Sequence, residues 1–307
     1  MVRFVPLEEQ PQSARLNYLF GLAQTRILDT AVSFKKLVWN NLVMVAQLES
    51  IGWGTRSLED AARTRMRCGR LLVELSSGDD EICLSSRNLS DDEFESLAET
   101  DPVQWTRWAA CTGTGDVEIA PGLPALPLLV DPEDEFYVLP NGEARIYVRI
   151  PLSVVVKVHD DFDQLLGEFP TETLSQTWFG ETDSGELCYW LSSGVHRERF
   201  ENLDESGVQA PVTIINDSPE PLQVSRVCLR VAGLSIFRTE NSLWTNETVV
   251  RYQGGKSPSK VAIKSGPPSD APAAHLVAGP RSAVPVTAVA RTFRTLRRWK
   301  AGLFDSR

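Results

Sequence analysis

The sequence predicts a mainly β protein: antiparallel, sandwich-like sheets with a few short helices and one amphipathic helix at the C-terminus. Three observations carry this. In Ala144 to Ile150, Ile146, Val148 and Ile150 alternate with Arg145, Tyr147 and Arg149, the period of a strand with one buried and one wetted face. From Val117 to Tyr252, short apolar runs are separated by turn residues at near-regular intervals, without helical crossovers between them, which favours antiparallel pairing. Finally, 42% apolar residues in a chain of 307 are enough to bury a substantial core.

Taken in order, Leu16, Tyr18, Leu19, Leu22 and Ala23 suit a short helix, and the apolar run Leu42 to Ala46 leans towards a strand. Glycines around Trp53 mark a loop. Ser57 with Asp60 three residues on, followed by Ala61, Ala62 and Met66, resembles a helix start, and Ser90-Asp91-Asp92-Glu93 is a clearer capping box leading into Phe94. Between them Leu71 to Leu75 and Glu81 to Leu84, joined by Ser77-Gly78-Asp79-Asp80, read as a hairpin. Trp105 and Trp108, three apart on a possible helical turn, anchor that segment on the core.

Val117 to Ile119 is a short strand, and Pro121 to Pro127 is a proline-stiffened crossing placed at a sheet edge. Pro140-Asn141-Gly142 is a turn signal before the central strand. Pro151 has no N–H to donate, so the chain must bulge, bend or change edge before Leu152 to Val158 resumes as a strand. Thr173 to Phe179 and Glu186 to Leu191 form a second hairpin around Asp183-Ser184-Gly185. Pro211 to Ile215, Leu222 to Val231, Leu234 to Phe237 and Thr248 to Tyr252 supply further strands.

The domain organisation expected is an N-terminal α+β region over 1–110, a β-sandwich over 111–252, a Gly/Pro/Ser/Ala-rich linker over 253–288 and a basic helical tail over 289–307. On a helical wheel Val289, Phe293, Leu296, Trp299 and Leu303 share one side of that tail, and Arg291, Arg294, Arg297 and Arg298 share the other. Such a helix can lie in an anionic membrane interface, dock in a partner's groove, or fold back on its own acidic body. Arg291, Arg294, Arg297, Arg298 and Trp299 are therefore the candidate partner-binding residues.

A formal charge of −10 argues against nucleic acid as a partner, because phosphates repel an acidic surface. The five cysteines are odd in number and widely spaced, which fits reduced thiols and a cytoplasmic compartment. No run of the sequence approaches the ~18 apolar residues of a spanning helix, and Glu8 and Glu9 interrupt the start where a secretory signal would need a continuous apolar core.

Most chemical motifs fail on inspection. Gly254-Gly255-Lys256-Ser257 ends like a phosphate-binding loop, yet Val250 stands where the first glycine is required and Pro258 would break the following helix. Gly113-Thr114-Gly115 has Glu118 in place of the third glycine of a dinucleotide fingerprint. Asp183-Ser184-Gly185 reads as a hairpin turn, since a nucleophilic serine needs a positioned base and the chain offers only His159, His196 and His275. His159, Asp160, Asp161 and Asp163 offer cation ligands, but consecutive strand side chains point to opposite faces, so a solvated acidic loop is expected there. Cys188 and Cys228 sit in apolar strands as packing thiols. Arg145 and Arg149, beside Tyr147, are expected to pair with the chain's own carboxylates.

The runs Glu143 to Leu152, Leu174 to Gly180 with Gly185 to Leu191, and Leu229 to Phe237 with Leu243-Trp244 resemble an uncharacterised prokaryotic family, domain of unknown function 432. Val250-Arg251-Tyr252 and Ala290-Arg291-Thr292-Phe293 are also similar to its bacterial members, so that the resemblance covers roughly residues 70 to 295. It implies a predominantly β domain, sometimes encoded beside small mechanosensitive channels, and carries no assigned chemistry or catalytic residues.

The expected function is accordingly a non-catalytic interaction or accessory module without a cofactor. It would be cytoplasmic or peripheral to the membrane, engaging a protein partner or an anionic membrane surface through the basic tail. The alternative is a hydrolytic or carbohydrate-active sandwich using Asp160, Asp161 or Glu186 as acid and base, with Trp178, Phe179, Tyr189 and Trp190 stacking on sugars.

Overall fold

A computed structural model describes residues 48–58, 63–78, 81–97, 104–109, 116–158, 164–201, 203–255, 259–282 and 287–290. Leu48–Ser50 (β1) and Gly54–Ser57 (β2) flank the loop at Trp53. Thr64–Cys68 (β3), Leu71–Ser77 (β4) and Glu81–Asn88 (β5) form an antiparallel ribbon. Gly69, at φ 57°, turns β3 into β4, a conformation that a Cβ would resist. The capping box forms as expected: Ser90 Oγ accepts from the Glu93 N–H, and the Glu93 carboxylate accepts from the Ser90 N–H at 2.7 Å, starting the helix Asp91–Glu95 (α1).

Thr106–Ala109 (β6), Asp116–Gly122 (β7), Leu128–Pro132 (β8), Phe136–Val138 (β9), Glu143–Pro151 (β10), Ser153–Val158 (β11) and Leu165–Pro170 (β12) come next. Then follow Ser175–Phe179 (β13), Glu186–His196 (β14), Gly207–Asn216 (β15), Leu222–Val224 (β16), Val227–Leu229 (β17), Ile236–Arg238 (β18), Leu243–Thr245 (β19) and Thr248–Tyr252 (β20). Ser259–Ile263 (β21), His275–Ala278 (β22) and Thr287–Ala290 (β23) complete the order. The protein is thus mainly β, as its alternating sequence predicts, with sheets that are rich in antiparallel pairs but mixed. β1–β3, β8–β14, β15–β19 and β15–β20 run parallel.

Two sheets face each other around one core. A five-stranded sheet, β1-β3-β4-β5-β6, packs on a four-stranded sheet, β12-β11-β7-β2. Met66, Leu75, Ile82, Ile119, Val154 and Val156 share the interior between them. Each such aliphatic side chain, fully buried, contributes about 1.5–3 kcal/mol. On the other face of the five-stranded sheet, α1 sets Phe94 against Leu72 and Leu89.

Twelve of the remaining strands build one sheet along β17-β8-β14-β10-β15-β19-β18-β22, with β13 on β14 and β20-β21-β23 branching from β15, while β9 and β16 pair with each other in a two-stranded sheet. Ile146, Val148 and Ile150 of β10 and Val208, Ala210 and Val212 of β15 line its core, together with Val227 and Leu229 at one end and Ile236 at the other. In a flat sheet β17 and β18 would stand six pairings apart, ~29 Å at ~4.8 Å per strand. The seven steps from Leu229 to Ile236 cover at most ~25 Å extended, and they include a 3-10 turn at Val231–Gly233. The sheet therefore curls around its own interior.

Pro151 marks the crossing between these assemblies. β10 ends there in the curled sheet, and after Leu152 the chain enters the four-stranded sheet as β11. The Leu152 N–H donates to Ser206 O at 2.9 Å, outside both ladders. Upstream, Leu139 to Gly142 make the expected turn, with Asn141 at φ 56° and the Gly142 N–H donating to Leu139 O at 2.9 Å.

Several expectations are corrected. Ser57 ends β2 and Met66 lies buried in β3, so pairing overrides the capping-like signal between them; residues 59–62 lie outside the described residues. Trp108 belongs to strand β6 rather than to a helical turn, and packs against the sandwich core. Pro121 does not lie at a crossing over a sheet edge but within β7, opposite Val154 of β11. It is tolerated because β2 stops pairing at Ile119, so that among the described strands only β11 is paired with β7 at that point. Leu222 to Val231 is two strands and a 3-10 turn rather than one strand. The Gly/Pro/Ser/Ala-rich stretch after Tyr252 carries β21 and β22, each paired into the curled sheet. Val289 and Ala290, placed by the sequence at the start of a helix, pair as β23 with β21. β7, β11 and β12, expected in the 111–252 sandwich, share their core with the N-terminal strands.

Candidate functional site

The outer face of β10 carries the densest polar constellation among the described residues. Its side chains alternate with those of the core, so Arg145, Tyr147 and Arg149 must point away from it. Across the register from Arg145 stands Thr213 of β15, whose hydroxyl accepts from Arg145 Nη1 at 3.2 Å. The same guanidinium meets Glu247 Oε1 at 3.2 Å and binds Asp270 Oδ2 through Nη2, while its Nε donates to the Tyr147 phenol at 3.3 Å. That phenol in turn donates to Asp270 Oδ1 at 2.8 Å.

Glu247 is only 3% exposed. Its Oε1 accepts from Lys264 Nζ at 2.8 Å and from Thr213 Oγ1 at 3.1 Å. Burial opposes its charge, but the hydrogen bonds from Lys264 and Arg145, the Arg145 charge and the Thr213 hydroxyl together outweigh that, holding the carboxyl below its ordinary range. Burial also works against the Arg145 cation, yet its bonds to Asp270, Tyr147 and Glu247 raise its pKa. Burial and the bond to Asp270 push the Tyr147 phenol up, so it stays protonated and is no base at neutral pH. Chemically, this constellation fastens residues 264–270 to the sheet. Arg149 is similarly engaged, with Glu172 at 2.6 Å and Asp204 at 3.9 Å. The pairing with internal carboxylates that the sequence predicts for Arg145 and Arg149 is what the structure shows.

A second charged knot sits on the five-stranded sheet. Glu74, 1% exposed, takes Arg63 at 2.7 Å and Arg65 at 2.9 Å on Oε1, with Arg87 3.7 Å from Oε2. It ties β3, β4 and β5 together across their outer face.

The β13–β14 hairpin bears the exposed aromatics. Trp178 stands opposite Leu187, and both are open to solvent. The indole lies over Gly185, where a Cβ would come within 2.3 Å of Nε1, and that Nε1 donates to Glu181 O at 3.1 Å. Trp190 stands opposite Ser175, three positions from Trp178, and so faces the other side of the ribbon. There its Nε1 donates to Asp131, which Arg226 also holds. Phe179, Cys188, Leu129 and Cys228 form a small buried cluster on the sheet. The two thiols lie 3.9 Å apart, on strands that flank β8 on either side, and they serve as packing groups. Burial beside Glu205 and Asp204 pushes the Cys68 thiol up to about 12, so it too is inert.

A groove of about 520 Å³ runs beside β7 and β11, floored by Ala120, Val155, Leu234 and Ile236. Arg281 spans one end, donating to Leu123 O and to Glu168.

Of the residues predicted as partner-binding, Arg291, Arg294, Arg297, Arg298 and Trp299 lie outside the described residues, as do His159, Asp160, Asp161 and Asp163. Glu186, a candidate acid, is bound by Arg230. Asp183-Ser184-Gly185 forms the hairpin turn. Glu247 and Asp270 were not singled out by sequence: each is one acid among many, and only the fold brings them to Arg145, 102 and 125 residues away. No cluster of three or more His, Cys, Asp or Glu side chains fit to hold a metal occurs among the described residues, and no helix among them is long and apolar enough to cross a membrane.

Residues 52–297 match the model of a family described as Protein of unknown function (DUF432), and the chain belongs to that family. No curated protein and no solved structure matches.

Proposed function

We propose that this member of the DUF432 family is a non-catalytic interaction module that works at an anionic membrane surface, reaching it through the basic C-terminal segment. The observation supporting a non-catalytic reading is the closure of the Arg145, Tyr147, Glu247 and Asp270 constellation upon itself. Its acids are bound by Arg145 and Lys264, its phenol is held protonated, and the group holds a surface segment in place. Catalytic sites instead keep a base or nucleophile poised beside a substrate-sized space.

The segment after Ala290 supplies the other half of the reading. Arg291, Arg294, Arg297, Arg298 and Lys300, with Phe293, Leu296 and Trp299 among them, combine cationic and apolar side chains as an interfacial helix requires. A cytoplasmic protein so equipped would sit peripherally on the membrane, where a membrane protein could be its neighbour. The carbohydrate-active alternative is disfavoured because Trp178 and Trp190 face opposite sides of their ribbon and cannot share one sugar platform.

Flotation with anionic phospholipid vesicles tests the proposal. The full chain is expected to rise with the vesicles, and a full chain carrying Arg294→Gln, Arg297→Gln and Arg298→Gln to stay behind. Equal behaviour of the two would refute it.

A further inference from the structure

We propose that the β13–β14 hairpin is the resting seat of the chain's own C-terminal segment, residues 291–304. Trp178 and Leu187 would meet its apolar side, and Glu181 and Asp183 its arginines. β13 pairs only with β14 among the described strands, which leaves an open edge beside two solvent-facing apolar side chains. Open edges and exposed tryptophans are commonly covered in native proteins.

Charge selects the occupant. From Val158 to His196 the chain carries eight carboxylates and no lysine or arginine. Within that stretch Glu168, Glu172 and Glu186 are held by Arg281, Arg149 and Arg230, whereas Glu181 and Asp183 are exposed at the hairpin turn. Residues 291–304 are the complement: five cations, no acid, and Phe293, Leu296 and Trp299 interleaved. Desolvated apolar contact and opposite charge would act together at one place.

Reach permits it. Six pairings separate β23 from β13, through β21, β20, β15, β10 and β14, or ~29 Å at ~4.8 Å each. That is the separation along a flat sheet, which the curl shortens; Trp299, nine residues beyond Ala290, extends to ~30 Å, so it is the outer half of the segment that reaches the hairpin.

This inference deepens the reading of the tail as an interaction segment: docking on the hairpin and docking on a membrane would compete for the same side chains. Limited trypsin digestion of the full chain, followed by mass spectrometry, tests it, because cleavage after Arg294, Arg297 and Arg298 reports how often the tail is free. In a chain carrying Glu181→Lys and Asp183→Lys, and separately in one carrying Trp178→Ala, that cleavage is expected to run roughly tenfold faster than in the parent. Unchanged thermal unfolding of each variant would show that the fold is intact. Equal cleavage rates in parent and folded variants overturn the inference. If anionic vesicles slow cleavage equally in all three chains while the rates without vesicles are the same, the tail belongs to the membrane alone. A tail seated on the hairpin but unable to float with vesicles would instead remove the membrane reading and leave this one standing.

Discussion

The Tyr147 phenol donates to Asp270 Oδ1 at 2.8 Å, joining the middle of the central strand to a surface segment 123 residues later. Removing that hydroxyl in Tyr147→Phe is expected to cost about 0.5–1.5 kcal/mol in urea unfolding, the usual worth of a single hydrogen bond. Asp270→Ala should cost more, since it also takes a carboxylate from Arg145. In a double-mutant cycle the two losses should be less than additive; strict additivity would show that the bond contributes nothing.

Glu247 makes stability depend on pH. Its carboxyl is held lower in the folded chain than in the unfolded one, where the value is about 4.3. Its contribution is therefore complete above that pH and fades as the pH falls through the folded value. Urea midpoints measured from pH 7 down to about 3 should drop less steeply in Glu247→Gln than in the parent. Parallel curves would show that the group does not titrate with folding.

Glu74 stands between three guanidiniums with 1% exposure. Glu74→Ala leaves like charges crowded on the sheet and is expected to lose about 3–5 kcal/mol, read by equilibrium unfolding. A loss under about 1 kcal/mol would mean that solvent reaches the knot.

Tryptophan substitutions should separate surface from core. Trp190 is 42% exposed, and Trp190→Ala should cost about 1 kcal/mol, whereas Ile146→Ala, at a position with no exposure, should cost about 2–5 kcal/mol. The reverse order, by thermal or chemical unfolding, would place Trp190 inside the core.

What could be read from the sequence follows a physical divide. Alternation in β10 was legible because its two faces meet different media, an aliphatic interior and a charged exterior. The capping box at Ser90 was legible because both of its bonds are local. The Arg145, Glu247 and Asp270 group was hidden, since nothing local marks carboxylates more than a hundred residues away as partners. β21 and β22 were hidden by composition: short strands on the margin of a sheet need little apolar content when neighbours supply the ladder. Ser57 and Asp60 misled because a helix-start signal is weak against the pairing of β2 with β7.

The crossing at Leu152 carries a cost during synthesis. As the chain leaves the ribosome N-terminus first, the inner faces of β3, β4 and β5, with Met66, Leu75 and Ile82, exist long before residues 153–170 arrive to cover them. No contiguous fragment ending before β11 would contain a finished sandwich. For an interval of protein synthesis, those greasy surfaces depend on a chaperone or on sheer speed to escape aggregation.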